Sequence, residues 1–257
     1  MIEHWWIMVT GGLFSGLLAG LLGIGGGTVL VPILVALGYL PVQAAATSSL
    51  AIVMTSISGS IQNWRMGYLD FRRVILLGLP SLLTAQFGAY FADIMPAYLL
   101  LAAFGLLLVC NIFLVMLRRR LLKRKDKSQN SQLNPTVVRL GTGGVAGLLA
   151  GLFGVGGGVI MVPFQMLLLD EEIKVAIQTS LGVVVITAIS ACFGHALRGN
   201  VLFLEGIILG AGGLIGAQLS TRYLPKLPDR LVSICFNSML TILAIYFFWQ
   251  AAKSYNG

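Results

Sequence analysis

The sequence predicts an all-α polytopic membrane protein built from two homologous halves, and three observations carry that reading. Of its 257 residues 57% are hydrophobic and 10% charged, against about 25% charged in soluble domains. Windows of about 20 residues without charge, such as 74–92 and 98–117, are long enough to cross a hydrocarbon core of roughly 30 Å. The stretch GLLGIGGGTVLVP, Gly20–Pro32, returns 131 residues later as GLFGVGGGVIMVP, Gly151–Pro163.

The duplication extends beyond that stretch. An ungapped shift of 131 lays Gly16–Leu34 over Gly147–Gln165 with 12 of 19 positions identical, and lays SSLAIVM from Ser48 over TSLGVVV from Thr179. A shift of 132 brings Gly67 onto Gly199, Gly78 onto Gly210, Ala85–Gln86 onto Ala217–Gln218 and Pro96 onto Pro228. A repeat this long means a duplicated bundle. The halves are read as 1–117 and 136–257, joined by a basic linker over 118–135.

Each half opens with a long Gly-rich segment, residues 7–38 and 137–169. MIEHWWIMV lacks a positively charged lead and a small-residue cleavage site, so the first segment is expected to be retained, with Trp5 and Trp6 as interfacial anchors. As one helix, 32 residues would measure about 48 Å, too long for a single pass and too short for two full ones. Glycine costs about 1 kcal/mol in a helix interior, so Gly25–Gly27 and Gly156–Gly158 are expected to break each segment into two short helices. Pro32 and Pro163 are expected in the first turns of the new helices, opening at Thr28 and Val159. Gly16 and Gly20 serve close helix packing instead. Three more apolar segments follow in each half, near 44–62, 74–92 and 97–117, then 175–196, 201–221 and 230–251.

Topology turns on the breaks. If each broken segment crosses once, there are eight crossings and the halves run parallel. If it enters and returns, there are ten segments, the second half is inverted, and 15 of the 17 basic residues share one side. The positive-inside rule favours inversion, in a cytoplasmic (inner) membrane with the basic loop in the cytoplasm.

Charge excludes several functions. The net charge of +8 suggests nucleic acid only until it is located: Arg118–Lys127 alone contributes +6, and no recognition element accompanies it. Cys110, Cys192 and Cys235 stand apart in apolar stretches, with no metal spacing. The glycine runs lack the lysine and acidic residue of a nucleotide loop, and no Ser–His–Asp or Cys–His set is placed by the repeat. Neither an enzyme nor a cofactor is expected.

No carboxylate sits at the centre of an apolar segment, which argues against cation transport and for an anionic or neutral solute. An anion can be held by the unsatisfied N–H groups and positive dipole end of a helix start, where glycine lets the ligand approach. The candidate binding set is therefore Gly25, Gly26, Gly27 and Thr28 with Gly156, Gly157 and Gly158. Thr47, Ser48, Ser49, Gln178, Thr179 and Ser180 supply hydroxyl and amide donors from the next helix. The same groups also serve interhelical hydrogen bonds worth about 0.6 kcal/mol each, so both roles stay open. Asn63 aligns with His195 and Gln86 with Gln218 as candidates for gating or proton coupling; a helix-end histidine bonded to a carbonyl is the plainer role for His195.

The doubled glycine motif, each followed by TSSL or QTSL and then by NWRMG or HALRG, with TAQFGA and GAQL later, resembles the sulfite exporter TauE/SafE family over essentially the whole chain. The resemblance implies a permease for small, often sulfur-containing anions such as sulfite or sulfonates. It would work by alternating access around a midplane site. An anion channel or a non-transporting membrane assembly component is the alternative. Asn63 stands where the second half has His195, so no paired-histidine mechanism is implied. The partners expected are a small anion and the lipid bilayer, with oligomeric state open.

Overall fold

The computed structural model describes residues 5–124 and 134–256. Among them every regular element is helical. The first half contains α1 (Trp5–Leu22), α2 (Gly27–Ala36), α3 (Pro41–Arg65), α4 (Phe71–Ile94) and α5 (Ala97–Arg124). The second contains α6 (Pro135–Phe153), α7 (Gly158–Leu168), α8 (Ile173–Ala196), α9 (Phe203–Tyr223) and α10 (Asp229–Asn256), with a short 3-10 turn at Leu224–Lys226. Eight of the ten are long and apolar enough to cross a membrane; α2 and α7 are the short ones. The chain is an integral membrane protein. Of the linker expected over 118–135, residues 118–124 continue α5, Pro135 opens α6 behind an Asn134 cap, and 125–133 lie outside the described residues.

Both long segments break at the glycines. Gly26 and Gly157 have φ of 88° and 77° and stand immediately before α2 and α7, a left-handed conformation that a side chain strains. The helices open at Gly27 and Gly158, one residue earlier than expected. Pro32 and Pro163 are each the sixth helical residue, beyond the first turn. There the missing N–H leaves the carbonyls of Thr28 and Val159 without their usual helical partner. One register also differs from expectation. Because α7 is 11 residues long and α2 is 10, the offset between halves changes from 131 to 132 inside these helices. Ser48 therefore corresponds to Ser180, and Ile52 to Val184.

The chain folds back at each break. Ser15 Oγ donates to the Gly26 carbonyl at 2.8 Å, and Ile33 lies against Gly11, so α2 returns alongside α1. In the second half Gly157 returns to Ala146.

Glycine faces set the long helices side by side. Gly12, Gly16 and Gly20 of α1 meet Leu209, Gly213 and Ser220–Thr221 of α9, so close that a Cβ would strike backbone or hydroxyl. The two helices therefore run parallel. Gly143, Gly147 and Gly151 of α6 meet Leu77, Ser81 and Ala85 of α4 in the same way. The α3 helix runs parallel with α9 (Leu50 at Gly206, Met54 at Gly210, Ser58 at Gln218), and α8 with α4 (Val74 at Gly182, Ile186 at Gly78, Ser190 at Gln86). Helices α3 and α8 cross in opposite directions: Ser48 and His195, near the start of one and the end of the other, both reach the end of α6. Thus α1, α3 and α9 point one way and α4, α6 and α8 the other. Outside this set α5 and α10 pair antiparallel, with Tyr98 against Tyr255 and Phe104 at 4.2 Å from Phe247 between ring centroids.

Candidate functional site

The two breaks meet in the interior of the bundle, where Ile24 and Val155 are fully buried. The contact is reciprocal. Gly27, at the start of α2, lies on the Gly154 carbonyl and Val155; Gly158, at the start of α7, lies on the Gly23 carbonyl and Ile24. Each helix start therefore faces the helix end of the opposite break. Beside them, Ile52 and Val184 lie side by side over both Gly25 and Gly156, filling the space a side chain there would take.

The hydroxyls expected near the site divide into two groups. Ser48 Oγ donates to the Gly154 carbonyl at 2.7 Å and Ser180 Oγ to the Gly23 carbonyl at 2.7 Å. Each also bonds its own helix, at Ala45 and Ile177. These serines tie each half to the other half's break. Thr47 Oγ1 accepts from the Leu202 backbone N–H at 3.1 Å, and Ser49 turns back to Ala45. Gln178 and Thr179 are buried. Thr28 differs from all of these: its side chain is buried, and its hydroxyl has no hydrogen-bond partner among the described residues. Its counterpart is Val159.

Of the gating candidates, His195 reaches the last turn of α6 before the second break. His195 is buried, with Nε2 at 2.8 Å from the Gly151 carbonyl and Nδ1 without a partner among the described residues. Asn63 is buried with both amide atoms unpartnered there. Gln86 donates to the Ser190 carbonyl and hydroxyl at 2.6 and 2.9 Å. Gln218 accepts from Ser58 and donates to Gln62, both at 3.0 Å. The glutamines thus fasten α4 to α8 and α9 to α3. Between α4 and α8 this leaves an apolar cavity of about 360 Å³ lined by Leu82, Gln86, Ile186, Ile189, Ser190 and Phe193. Its polar floor is the Gln86–Ser190 pair.

Several participants escape a sequence reading. Ser15 and Thr187 hold the carbonyls of Gly26 and Gly156 at 2.8 Å each. Ile52 and Val184 become visible as a pair only with the offset of 132. Chemically, the centre offers backbone donors at two helix starts and the Thr28 hydroxyl, and no group of three or more metal-ligating side chains is present among the described residues.

A buried, glycine-broken core inside a bundle of apolar helices defines a membrane transporter. The chain belongs to the sulfite exporter TauE/SafE family, whose profile matches residues 8–247. It is 26% identical to "Probable membrane transporter protein YunE" of Bacillus subtilis, covering 96% of this chain and 98% of that one. A "Probable membrane transporter protein" of Xylella fastidiosa strain 9a5c is 30% identical over 95% of each chain. The relative MJ0441 of Methanocaldococcus jannaschii, named likewise, is 23% identical over 93% of this chain and 94% of its own. No solved structure matches the chain.

Proposed function

We propose that the protein is a secondary transporter that carries a small anion, a sulfur-containing oxyanion or organosulfonate, by alternating access about the meeting point of the two breaks. The observation that carries this is the pair of helix starts, α2 and α7, brought together in a buried interior beside the unpartnered Thr28 hydroxyl. Helix starts carry unsatisfied N–H donors and the positive dipole end. Discontinuous helices in corresponding places of two repeats are the usual seat of a transporter's substrate.

The opposed directions of α1, α3, α9 and α4, α6, α8 support reading the halves as inverted repeats. With the basic end in the cytoplasm, both termini then lie outside. The reciprocal serine bonds would shift as one half rocks against the other. Proteoliposomes test the function: saturable uptake of labelled sulfite or thiosulfate against its gradient is expected, whereas flux that only runs down the gradient and never saturates identifies a channel instead.

A further inference from the structure

At the end of the bundle that carries Arg65 and Arg72, two arginines from different helices share one carboxylate. Arg73 Nη1, in the first turn of α4, is 3.3 Å from Glu171 Oε1, and Arg139 Nη2, in α6, is 3.1 Å from the same oxygen. Glu171 lies in the connection between α7 and α8, and its side chain is only 8% exposed. Arg73 also meets Asp70 at 2.9 Å, and Asp70 caps α4 by accepting from the Arg72 and Arg73 N–H groups. Arg139 Nε is buried and donates to nothing among the described residues.

Polar atoms continue inward from this cluster. Glu171 N–H donates to the Gln165 carbonyl at 3.3 Å. Gln165 Oε1 and the Thr142 hydroxyl, one turn on from Arg139, are buried and without partners there. The next turn of α6 brings Ala146, which touches Gly157 at the break. None of this exists in the other half. Arg139, Thr142 and Gln165 correspond to Met8, Gly11 and Leu34 at an offset of 131. The 132 offset that holds beyond α2 and α7 lays Glu171 on Tyr39 and Arg73 on Glu205. That pair meets at the opposite end of the bundle, with Tyr39 Oη at 3.4 Å from Glu205. Burial, and then the Glu205 carboxylate, raise the Tyr39 phenol above its ordinary value, so it stays a donor. One mouth therefore sets two guanidinium groups on its buried carboxylate, and the other sets a phenol on its own.

We infer that Arg73 and Arg139 form a second anion site, at the basic mouth of the transporter, and that Glu171 occupies it in this structure as a built-in competitor for the incoming oxyanion. The inference rests on the anion-carrier reading. Paired guanidinium forks suit a tetrahedral or planar oxyanion. An arriving anion displaces Glu171 and, with it, the α7–α8 connection that caps the polar path to the break. At the Tyr39–Glu205 mouth the carboxylate meets a phenol, and no guanidinium pair faces it among the described residues.

The test is equilibrium binding of radiolabelled inorganic sulfate to the detergent-purified full chain. Glu171→Gln removes the competitor and is expected to tighten sulfate binding at least about tenfold, a change of about 1.4 kcal/mol. Adding Arg139→Gln to that variant should return binding to the wild-type level. If Glu171→Gln loosens the fold, sulfate should restore its melting temperature and chloride should not. Equal sulfate binding by wild type and Glu171→Gln, or an enhancement that survives Arg139→Gln, overturns the assignment. Combining Glu171→Gln with Thr28→Val separates the two sites. Enhancement that persists belongs to the mouth, and enhancement that vanishes belongs to the centre and refutes the mouth. A wild type that binds no anion at all defeats the central reading, while the Glu171→Gln comparison still decides this one.

Discussion

Thr28 is the residue at which structure and function part most cleanly. A buried hydroxyl without a partner costs about 1–3 kcal/mol, and its counterpart Val159 shows that a branched apolar side chain fits the equivalent place. Thr28→Val should therefore leave melting unchanged or raise it by about 1 kcal/mol, while anion binding falls at least about tenfold. Denaturation and binding measured on the same preparation check both halves of that statement. Ser48 and Ser180 predict the reverse. Each is the bolt between one half and the other half's break, so Ser48→Ala and Ser180→Ala should each destabilise by about 1–3 kcal/mol by orphaning a buried carbonyl. Such a difference could not be seen in the sequence, where TSSL and QTSL offer hydroxyls of equal standing. Which one reaches across the molecule is decided by helix phase and by the single residue that α7 gains over α2.

Among the elements, the glycine-lined contacts of α1 with α9 and of α6 with α4 set the packing. Gly147 sits on the Ser81 backbone, whereas Gly141, six residues earlier on the same helix, has open space around it. Gly147→Ala should thus unseat α6 from α4 and lower yield and melting temperature. Gly141→Ala should stabilise by up to about 1 kcal/mol through helix propensity alone. Thermal denaturation of the two variants side by side reads the contrast. The breaks themselves were legible, since three adjacent glycines cannot all face one partner helix, and their positions were found to within one residue. The return of α2 after the break was legible only through the count of basic residues, not through any contact pattern. It depends on Ser15 and Gly11 receiving Gly26 and Ile33, contacts with no periodic signature. The Arg73–Glu171–Arg139 cluster was equally hidden, because its members come from three places in the chain and two have apolar or uncharged counterparts in the other half.

For the whole molecule, the folded-back breaks decide topology. A returning α2 and α7 put the start of α1 and the end of α10 on the side away from Arg65 and Arg72, whereas single crossings would put both on the same side as them. Reporter fusions at residue 1 and residue 257 should read as extracytoplasmic and an insertion near residue 128 as cytoplasmic; cytoplasmic readings at both termini would require the single-crossing arrangement. Composition established the membrane bundle. It does not specify the solute, because in the proposed site the solute would be held by backbone donors and one hydroxyl, which leave no distinctive side-chain signature. The measurement that tests the central claim most directly is a thermal-shift panel of sulfite, sulfate, thiosulfate, taurine, sulfoacetate and simple carboxylates on wild type and Thr28→Val. A selective rise for one small sulfur oxyanion or sulfonate is expected in the wild type, visible at about 100 times its dissociation constant, and a rise that needs at least about ten times more ligand in Thr28→Val. A flat wild-type response, or equal responses in the two proteins, would contradict an anion site at the meeting of the breaks.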